Sequence, residues 1–199
     1  MAFFAGETRY MSKSIVIKSK ELRKLLVALK DNGKYISLLD DWNRQQLLTL
    51  RLSESFFCPV CKSSVQLKIG TKRVFHFAHE EGAECTENNE QETPYHLKGK
   101  LLLYGWLKQK YPQTEIEKYI KEISQRPDIY VEVLPHKYAI EYQCSRISYE
   151  IFERRTINYV KMGITPVWIL GGNWLKIHAR NTIKLTPFQW QFTSTFDQR

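Results

Sequence analysis

The chain has 199 residues, of which 43% are hydrophobic, so it is long enough to bury a sizeable core and too apolar for a disordered protein. Its 30 Lys and Arg outnumber 21 Asp and Glu and give a formal net charge of +9, which favours a polyanionic partner such as nucleic acid. No secretory signal is recognisable, and no apolar run approaches the roughly 20 residues of a membrane span. We therefore expect a cytoplasmic protein whose four cysteines stay reduced.

Residues 1–55 are expected to form an N-terminal segment with both strand and helix. The alternation of SIVIKS is typical of a strand, and leucines at helical spacing predict a helix over Glu21–Lys30. Asp31–Gly33 should end that helix, and YISLL should form the next strand. Asn43–Leu52 fits either a short helix or an extended stretch.

Residues 56–90 combine a cysteine pair with a predicted hairpin. Cys58 and Cys61 have the C-x2-C spacing of a zinc knuckle, and VQLKIGTKRVFHF predicts a β-hairpin that turns at Gly70. Zinc takes four nitrogen or sulfur ligands in tetrahedral geometry, and four protein ligands leave no open position for catalysis. The pattern therefore predicts a small zinc-ribbon-like module that holds a structural Zn²⁺.

The second half of the zinc site must come from His76, His79 and Cys85. In a strand that contains both histidines, His76 and His79 would point to opposite faces. We favour His79 and Cys85 as the ligands and keep His76 as the alternative zinc ligand. The competing interpretation is that the cysteines are free and buried and that the histidines lie on the surface.

Residues 91–175 predict a helix, three strands, a helix and a strand, in that order. The predicted elements are Glu92–Lys110, Glu115–Ile123, Asp128–Leu134, Tyr138–Cys144, Ser148–Met162 and Thr165–Leu170. Pro135–Lys137 predicts a tight turn, so the second and third strands should pair as a hairpin. The continuous apolar run TPVWIL is typical of a buried parallel strand, which completes an α/β core.

Polar side chains interrupt the predicted hairpin. Glu141 and Gln143 lie two residues apart and share a strand face, on which Asp128 can converge from the neighbouring strand. Because the strand is otherwise apolar, we expect these groups to be buried or to belong to a site. The alternative is a turn residue followed by the solvated face of an amphipathic strand. Cys144, on the opposite face, is expected to be a buried core thiol.

These side chains suit a catalytic metal ion. Asp128 and Glu141 offer hard oxygen ligands to Mg²⁺ or Mn²⁺. The ion would activate water for phosphodiester hydrolysis and stabilise the charge that develops on the phosphate. Gln143 could position that water or hold a phosphate oxygen.

Several motifs together resemble those of a known family. RPD followed by AIEYQCS resembles the PD-(D/E)xK nuclease motif, in its variant with Gln in place of Lys. FFCPVC, HFAH, Cys85, E-x3-H-x3-K, IEYQCSRIS, RRTINY and WILGG occur in the order seen in the CoiA-like competence proteins, over residues 30–195. The resemblance implies a restriction-endonuclease-like core that cleaves or processes DNA. It also implies action on incoming single-stranded DNA during natural transformation and recombination, with a recombinase as a candidate partner.

The resemblance adds residues from both predicted helices. Glu92 would be a further acidic catalytic residue, and it shares a helical face with His96 and Lys100 because the three are spaced four residues apart. Arginine suits bidentate contacts with phosphate. The candidate nucleic-acid contacts are His96, Lys100, Arg154, Arg155 and Tyr159. The alternative is that these side chains form exposed charged helix faces.

Gln143 leaves two functions open. One is a metal-dependent nuclease, and the other is a catalytically weak DNA-binding recombination mediator that retains the nuclease fold. A third hypothesis is a zinc-dependent protein-interaction module that the nuclease-like portion only supports. CoiA-like proteins generally continue further, so residues 176–199 are expected to be a C-terminal extension that is truncated here.

Overall fold

The structure is a computed structural model of a mixed α/β protein, and it describes residues 25–193 apart from 72–73, 81–84, 86–91, 176 and 179–181. The strands of this part are β1 (Val27–Lys30), β2 (Tyr35–Ser37), β3 (Phe56–Phe57), β4 (Val65–Lys68), β5 (His76–His79), β6 (Thr114–Ile116), β7 (Ile129–Val133), β8 (His136–Gln143), β9 (Thr165–Leu170), β10 (Ile177–His178) and β11 (Thr182–Ile183). The α-helices are α1 (Arg44–Ser53), α2 (Pro94–Lys110), α3 (Tyr149–Lys161) and α4 (Pro187–Trp190), and short 3-10 helices cover Lys121–Ile123 and Gly172–Trp174. None of the helices in the described ranges has the length and apolar character needed to cross a membrane.

The N-terminal half packs a three-stranded sheet against a hairpin. The sheet has the order β2-β1-β3 and the hairpin pairs β4 with β5, all antiparallel. A backbone bridge between Leu25 and Phe77 joins the two, and one core of buried side chains runs through both and includes Leu47 of α1. The predicted hairpin is therefore confirmed, and it shares its core with the segment before it.

The helix predicted over Glu21–Lys30 is wrong where the structure describes it, because strand β1 begins at Val27. Leu25 packs in the N-terminal core, whereas the next residue, Leu26, packs against α2. An extended segment that is buried on both faces can have leucine at successive positions, and such a run can resemble the leucine spacing of a helix. The strand predicted for SIVIKS, residues 14–19, lies outside the described residues.

The segment that fitted either a helix or an extended stretch is helix α1. The Asn43 side chain accepts the Gln46 backbone N–H at 2.9 Å, and the Gln46 side chain accepts the Asn43 N–H at 2.8 Å. This reciprocal capping box satisfies two of the backbone donors that a helix N-terminus leaves without partners. The cap and the burial of Leu47 together favour the helix.

The C-terminal half is built on a four-stranded sheet in the order β6-β7-β8-β9. Strands β8 and β9 are parallel, and the other neighbours are antiparallel. Helix α2 packs on one face through Leu107 against Ile129, and α3 packs on the other through Tyr159 against Tyr130. The predicted order of helix, three strands, helix and strand is therefore observed, with the predicted hairpin and parallel strand.

Two of these strands differ from their predictions. The strand expected over Glu115–Ile123 ends at Ile116, because Glu117 has a φ of 51° and turns the chain. Strand β9 has the predicted bounds, but it is not buried throughout, since Val167 is 37% exposed.

Candidate active site and candidate metal centre

A cleft beside the start of α2 gathers the predicted catalytic residues. Its walls come from α2, from the chain just before β7, from the end of β8 and from α3. The lining includes Glu92, His96, Lys100, Asp128, Glu141, Gln143 and Arg155. Residues that are far apart in the sequence therefore meet around one opening.

Asp128 directly precedes β7 and is bound to the neighbouring strand. Its Oδ2 accepts the Tyr142 backbone N–H at 2.9 Å and lies 3.1 Å from His96 Nε2. Burial acts to raise the pKa of this carboxyl, but the hydrogen bond from His96 and the charge of Lys100 outweigh burial and hold the pKa well below its usual range. Asp128 is therefore an ionised carboxylate at a fixed position.

Glu141 and Gln143 share a buried face of β8. Only 3% of Glu141 and 4% of Gln143 are exposed, so the alternative of a solvated strand face is wrong. Glu141 Oε1 accepts the Tyr159 hydroxyl at 2.6 Å and is ion-paired with Arg155. Gln143 Nε2 donates to the carbonyl oxygen of Ser145 at 2.9 Å and to its hydroxyl oxygen at 3.2 Å. Both side chains are thus held by neighbours within the protein.

Lys100 lies inside the molecule rather than on an exposed helix face, with only 2% of it exposed. Its ammonium is ion-paired with Glu92, lies 2.7 Å from Glu117 Oε1 and lies 3.8 Å from Asp128 Oδ1. Burial acts to lower the pKa of this lysine, but the charges of Glu117, Glu92 and Asp128 raise it above its usual value. Lys100 therefore stays protonated and holds three carboxylates in place.

Glu117 and Arg126 belong to the same network, and the sequence alone did not single them out. Arg126 lies 3.6 Å from Glu117 Oε2, which also accepts the Leu26 backbone N–H at 2.9 Å. Strand alternation places Glu117 with the exposed Glu115, and the positive φ of Glu117 ends that alternation. Arg126 did carry a signal, since it begins the RPD motif.

The charges of the ion-pair network around the cleft balance when His96 is protonated. Burial acts to lower the pKa of His96, but its hydrogen bonds with Asp128 and Glu92 raise the pKa to about 9. The carboxylates of Glu92, Glu117, Asp128 and Glu141 then face the cations of Lys100, Arg126, Arg155 and His96. Such pairing offsets much of the free energy that burial of charged groups costs.

The predicted nucleic-acid contacts differ in exposure. Arg154 is exposed on α3, and 19% of the His96 side chain is exposed. Tyr159 is fully buried and Lys100 nearly so, and therefore neither side chain can contact a nucleic acid bound at the surface. Arg155 is paired with a cleft carboxylate. The buried members of the set therefore hold the acidic residues.

Cys144 also differs from its prediction as a core thiol. It is half-buried and lines the cleft. Burial raises the pKa of the thiol to about 11, so it stays protonated and weakly nucleophilic at neutral pH.

A second cluster lies in the N-terminal half. Cys58, Cys61, His79 and Cys85 each place one ligand atom within 4.8 Å of the others, and no other such group of Cys, His, Asp or Glu occurs in the described ranges. Tetrahedral Zn–S bonds of about 2.3 Å separate sulfurs by roughly 3.7 Å, so small shifts would close the cluster on one ion. His76 is not part of it, and its Nδ1 lies 2.9 Å from the Val74 carbonyl oxygen. The cluster could hold a metal ion.

The thiols of this cluster differ in acidity. Burial acts to raise the pKa of Cys61, but hydrogen bonds from Ser63 and His79 lower it to about 6, and the Cys61 Sγ to His79 Nε2 distance is 3.3 Å. Burial raises the pKa of Cys58 to about 12. The Val60 N–H still donates to Cys58 Sγ at 3.4 Å, which is how a knuckle supports a thiolate. A bound cation would complete the ionisation of Cys58.

Fold and sites together define a mixed α/β protein with a cleft lined by paired acidic and basic side chains in its C-terminal half and a Cys/His cluster in its N-terminal half. A family model described as competence protein CoiA, nuclease-like domain, matches residues 92–199, and one described as competence protein CoiA, N-terminal domain, matches residues 39–88. The chain belongs to the CoiA competence protein family, and its C-terminal half is a nuclease-like domain.

A curated relative agrees with this assignment. The chain is 40% identical over 144 residues to competence protein CoiA of Bacillus subtilis (strain 168). The matched residues are 72% of this chain and 39% of the relative, so the chain spans about two-fifths of the relative's length. A comparison with solved structures gives no match.

Proposed function

We propose that the chain is a divalent-metal-dependent deoxyribonuclease with a PD-(D/E)xK core. The observation that carries the proposal is the convergence of Glu92, Asp128 and Glu141 on one cleft of a nuclease-like domain. The helix, three strands, helix and strand around the cleft support this type of core. The family supports a role on incoming single-stranded DNA during natural transformation and recombination.

Glu92 provides the evidence that a cation fits the cleft. Its Oε1 is paired with Lys100, but its Oε2 is buried and has no hydrogen-bond donor within the described part of the chain. A buried carboxylate oxygen without a partner is costly, and a hard divalent ion is a partner that suits it. Their oxygens lie further apart than the ligand atoms of the Cys/His cluster, so Glu92, Asp128 and Glu141 would have to draw closer together to hold Mg²⁺ or Mn²⁺. The ion would supply an activated water and stabilise charge on the phosphate.

The other residues of the cleft act by position and charge. Lys100 and Arg155 hold the carboxylates, and neither can accept a proton at neutral pH. Gln143 is fixed by Ser145 and could orient a water or a phosphate oxygen. Arg154 is exposed and could contact the DNA backbone.

Metal-dependent cleavage of single- and double-stranded DNA tests the proposal. The Asp128→Asn variant keeps the shape of the side chain and removes its charge, so we expect cleavage with Mg²⁺ or Mn²⁺ to fall by roughly 100-fold or more. Asp41→Asn is the matched control, because Asp41 is exposed in the N-terminal half, and it should cleave as the wild type does. Equal rates for the wild type and Asp128→Asn, with equal melting temperatures, would refute the active-site assignment.

A catalytically weak recombination mediator is the second candidate function. The observation that favours it is Gln143, which has no charge and whose amide donates to the carbonyl and hydroxyl oxygens of Ser145. Tight, salt-sensitive DNA binding by the wild type without cleavage under any metal would support the mediator over the nuclease. Binding to a recombinase would belong to that function.

For the Cys/His cluster we propose a structural Zn²⁺ held by Cys58, Cys61, His79 and Cys85. The donor set supports zinc, since sulfur and imidazole ligands in fourfold coordination are those that structural zinc sites use. Coordination would leave no open position on the ion, so this site would hold the fold and leave the chemistry to the cleft.

A further inference from the structure

An exposed aromatic ring lies at the edge of the cleft. Tyr95 is in the first turn of α2, between Thr93 and His96, which both line the cleft. Its ring stacks on that of Tyr142, with 6.3 Å between centroids and 27° between planes, while 46% of the residue is exposed. Tyr142 also donates its backbone N–H to Asp128. The ring is therefore fixed beside the proposed active site and still presents surface to solvent.

A second ring, with a cation over it, lies close by. The indole N–H of Trp174 donates to the backbone oxygen of Cys144 at 2.9 Å, which anchors the ring to the wall of the cleft. The exposed Arg146 guanidinium lies over this ring, 5.5 Å from its centroid. A Cβ placed on Gly172 would lie 3.3 Å from the Tyr95 hydroxyl, and Trp174 follows two residues later. Both rings therefore border the same short turn.

We infer that Tyr95 and the Arg146–Trp174 pair form a stacking platform for the bases of a single-stranded nucleic acid, beside the place where its phosphate would meet Asp128. This rests on the proposed function, because it assigns substrate-binding residues to the same cleft. Aromatic faces and guanidinium planes stack on bases of any kind, whereas the bases of a duplex are already stacked on one another. The net charge of +9 suits a polyanionic strand.

Binding of a fluorescent oligo-dT strand, without added Mg²⁺ or Mn²⁺, tests the platform. Tyr95→Leu removes the ring and should weaken binding by roughly fivefold or more, whereas Tyr95→Phe keeps the ring and should bind as the wild type does. Arg146→Ala should also weaken binding. The matched control is Trp106→Leu, because Trp106 is 61% exposed on the same helix and does not line the cleft. Equal affinity of Tyr95→Leu and the wild type would overturn the platform.

A measurement on the unaltered chain guards against a folding defect in the variants. The wild type should bind a base-free strand and a duplex of the same length more weakly than oligo-dT. Equal affinity for the base-free strand, or no binding of oligo-dT, would overturn the platform. Cleavage with Mn²⁺ is scored separately. Base-dependent binding without cleavage would contradict the proposed nuclease and support the platform. Cleavage with base-independent binding would support the nuclease and contradict the platform.

Discussion

The cleft carboxylates are each paired with a cation of the same chain. His96 is paired with Asp128, and Arg155 is paired with Glu141. Lys100 is paired with both Glu92 and Glu117. Removing one partner of a buried ion pair leaves a charge without compensation, which costs about 3–5 kcal/mol. The arrangement therefore fixes the acidic oxygens through contacts within the chain itself. Gln143 has no ionisable group, so in the proposed nuclease the activation of water would come from other groups.

His96 makes the stability of the fold depend on pH. Its pKa is about 9 in the cleft against 6.5 for the free side chain, so its protonated form stabilises the folded state. This contribution is complete below about pH 6.5 and is lost as the pH rises through about 9. We expect the free energy of unfolding to fall by roughly 2–3 kcal/mol over that interval, as measured by denaturant titration.

A pair of variants isolates this effect. His96→Gln should flatten the decline between pH 6.5 and 9, whereas His136→Gln should leave it unchanged because His136 is exposed at the start of β8. The thiols titrate alike in both variants, so their contribution cancels in the comparison. The same slope in His96→Gln and in the wild type would contradict the assigned protonation.

Helix α2 shows how packing can reverse a local preference. Ala is favoured over Gly inside helices by about 1 kcal/mol. At Gly105 a Cβ would meet nothing within 4 Å, so Gly105→Ala should stabilise the protein by up to about 1 kcal/mol. At Gly99 a Cβ would overlap the Tyr142 ring, so Gly99→Ala should destabilise the protein by about 1–3 kcal/mol.

Thermal or denaturant unfolding of the two variants checks this prediction. Because both glycines lie on α2, the difference between the variants reports on the close approach to Tyr142 and not on helix propensity. Stabilisation by both substitutions would mean that the ring does not pack on Gly99.

Some elements follow from local rules and others do not. Helix α3 follows local rules, because the Ser148 side chain caps its first turn and Gly163, at a φ of 68°, ends it. Strand β1 was predicted as a helix because the leucines in and before it have helical spacing. In the structure Leu25 and Leu26 are both buried because each packs against a different part of the molecule. A pattern within ten residues cannot report which distant segment covers which side.

At the scale of the molecule, the N-terminal half is tied to the cleft. The Leu26 backbone N–H donates to Glu117, and Leu26 and Val27 pack with Leu97 and Ile116 of the C-terminal half. The boundary predicted at residue 55 stays a prediction, but buried side chains on both of its sides share one core. The backbone of Leu26, one residue after Leu25 of that core, therefore takes part in the carboxylate network.

Removal of metal from the Cys/His cluster should unfold more than the hairpin. Cys58 is buried in the core of the N-terminal half, and Cys61 and Cys85 pack against it. We expect one equivalent of zinc by metal analysis in the wild type and none in Cys61→Ser, whose melting temperature should fall clearly because metal binding is coupled to folding. Cys144→Ser is the matched control and should retain zinc. Equal zinc content in all three would rule out this site.

By itself the sequence determined the order of elements in the C-terminal half, the hairpin between β7 and β8, and the shared strand face of Glu141 and Gln143, because these depend on turns, caps and the period of a strand. Only the tertiary structure decided that Lys100 is buried among carboxylates, that Glu117 and Arg126 join them, and that Arg155 reaches Glu141. Those pairs join residues 8 to 28 positions apart, and the packing around each pair sets both its exposure and, through the partner charges, its protonation. The spacing of residues along the chain predicts neither the exposure nor the protonation of these side chains.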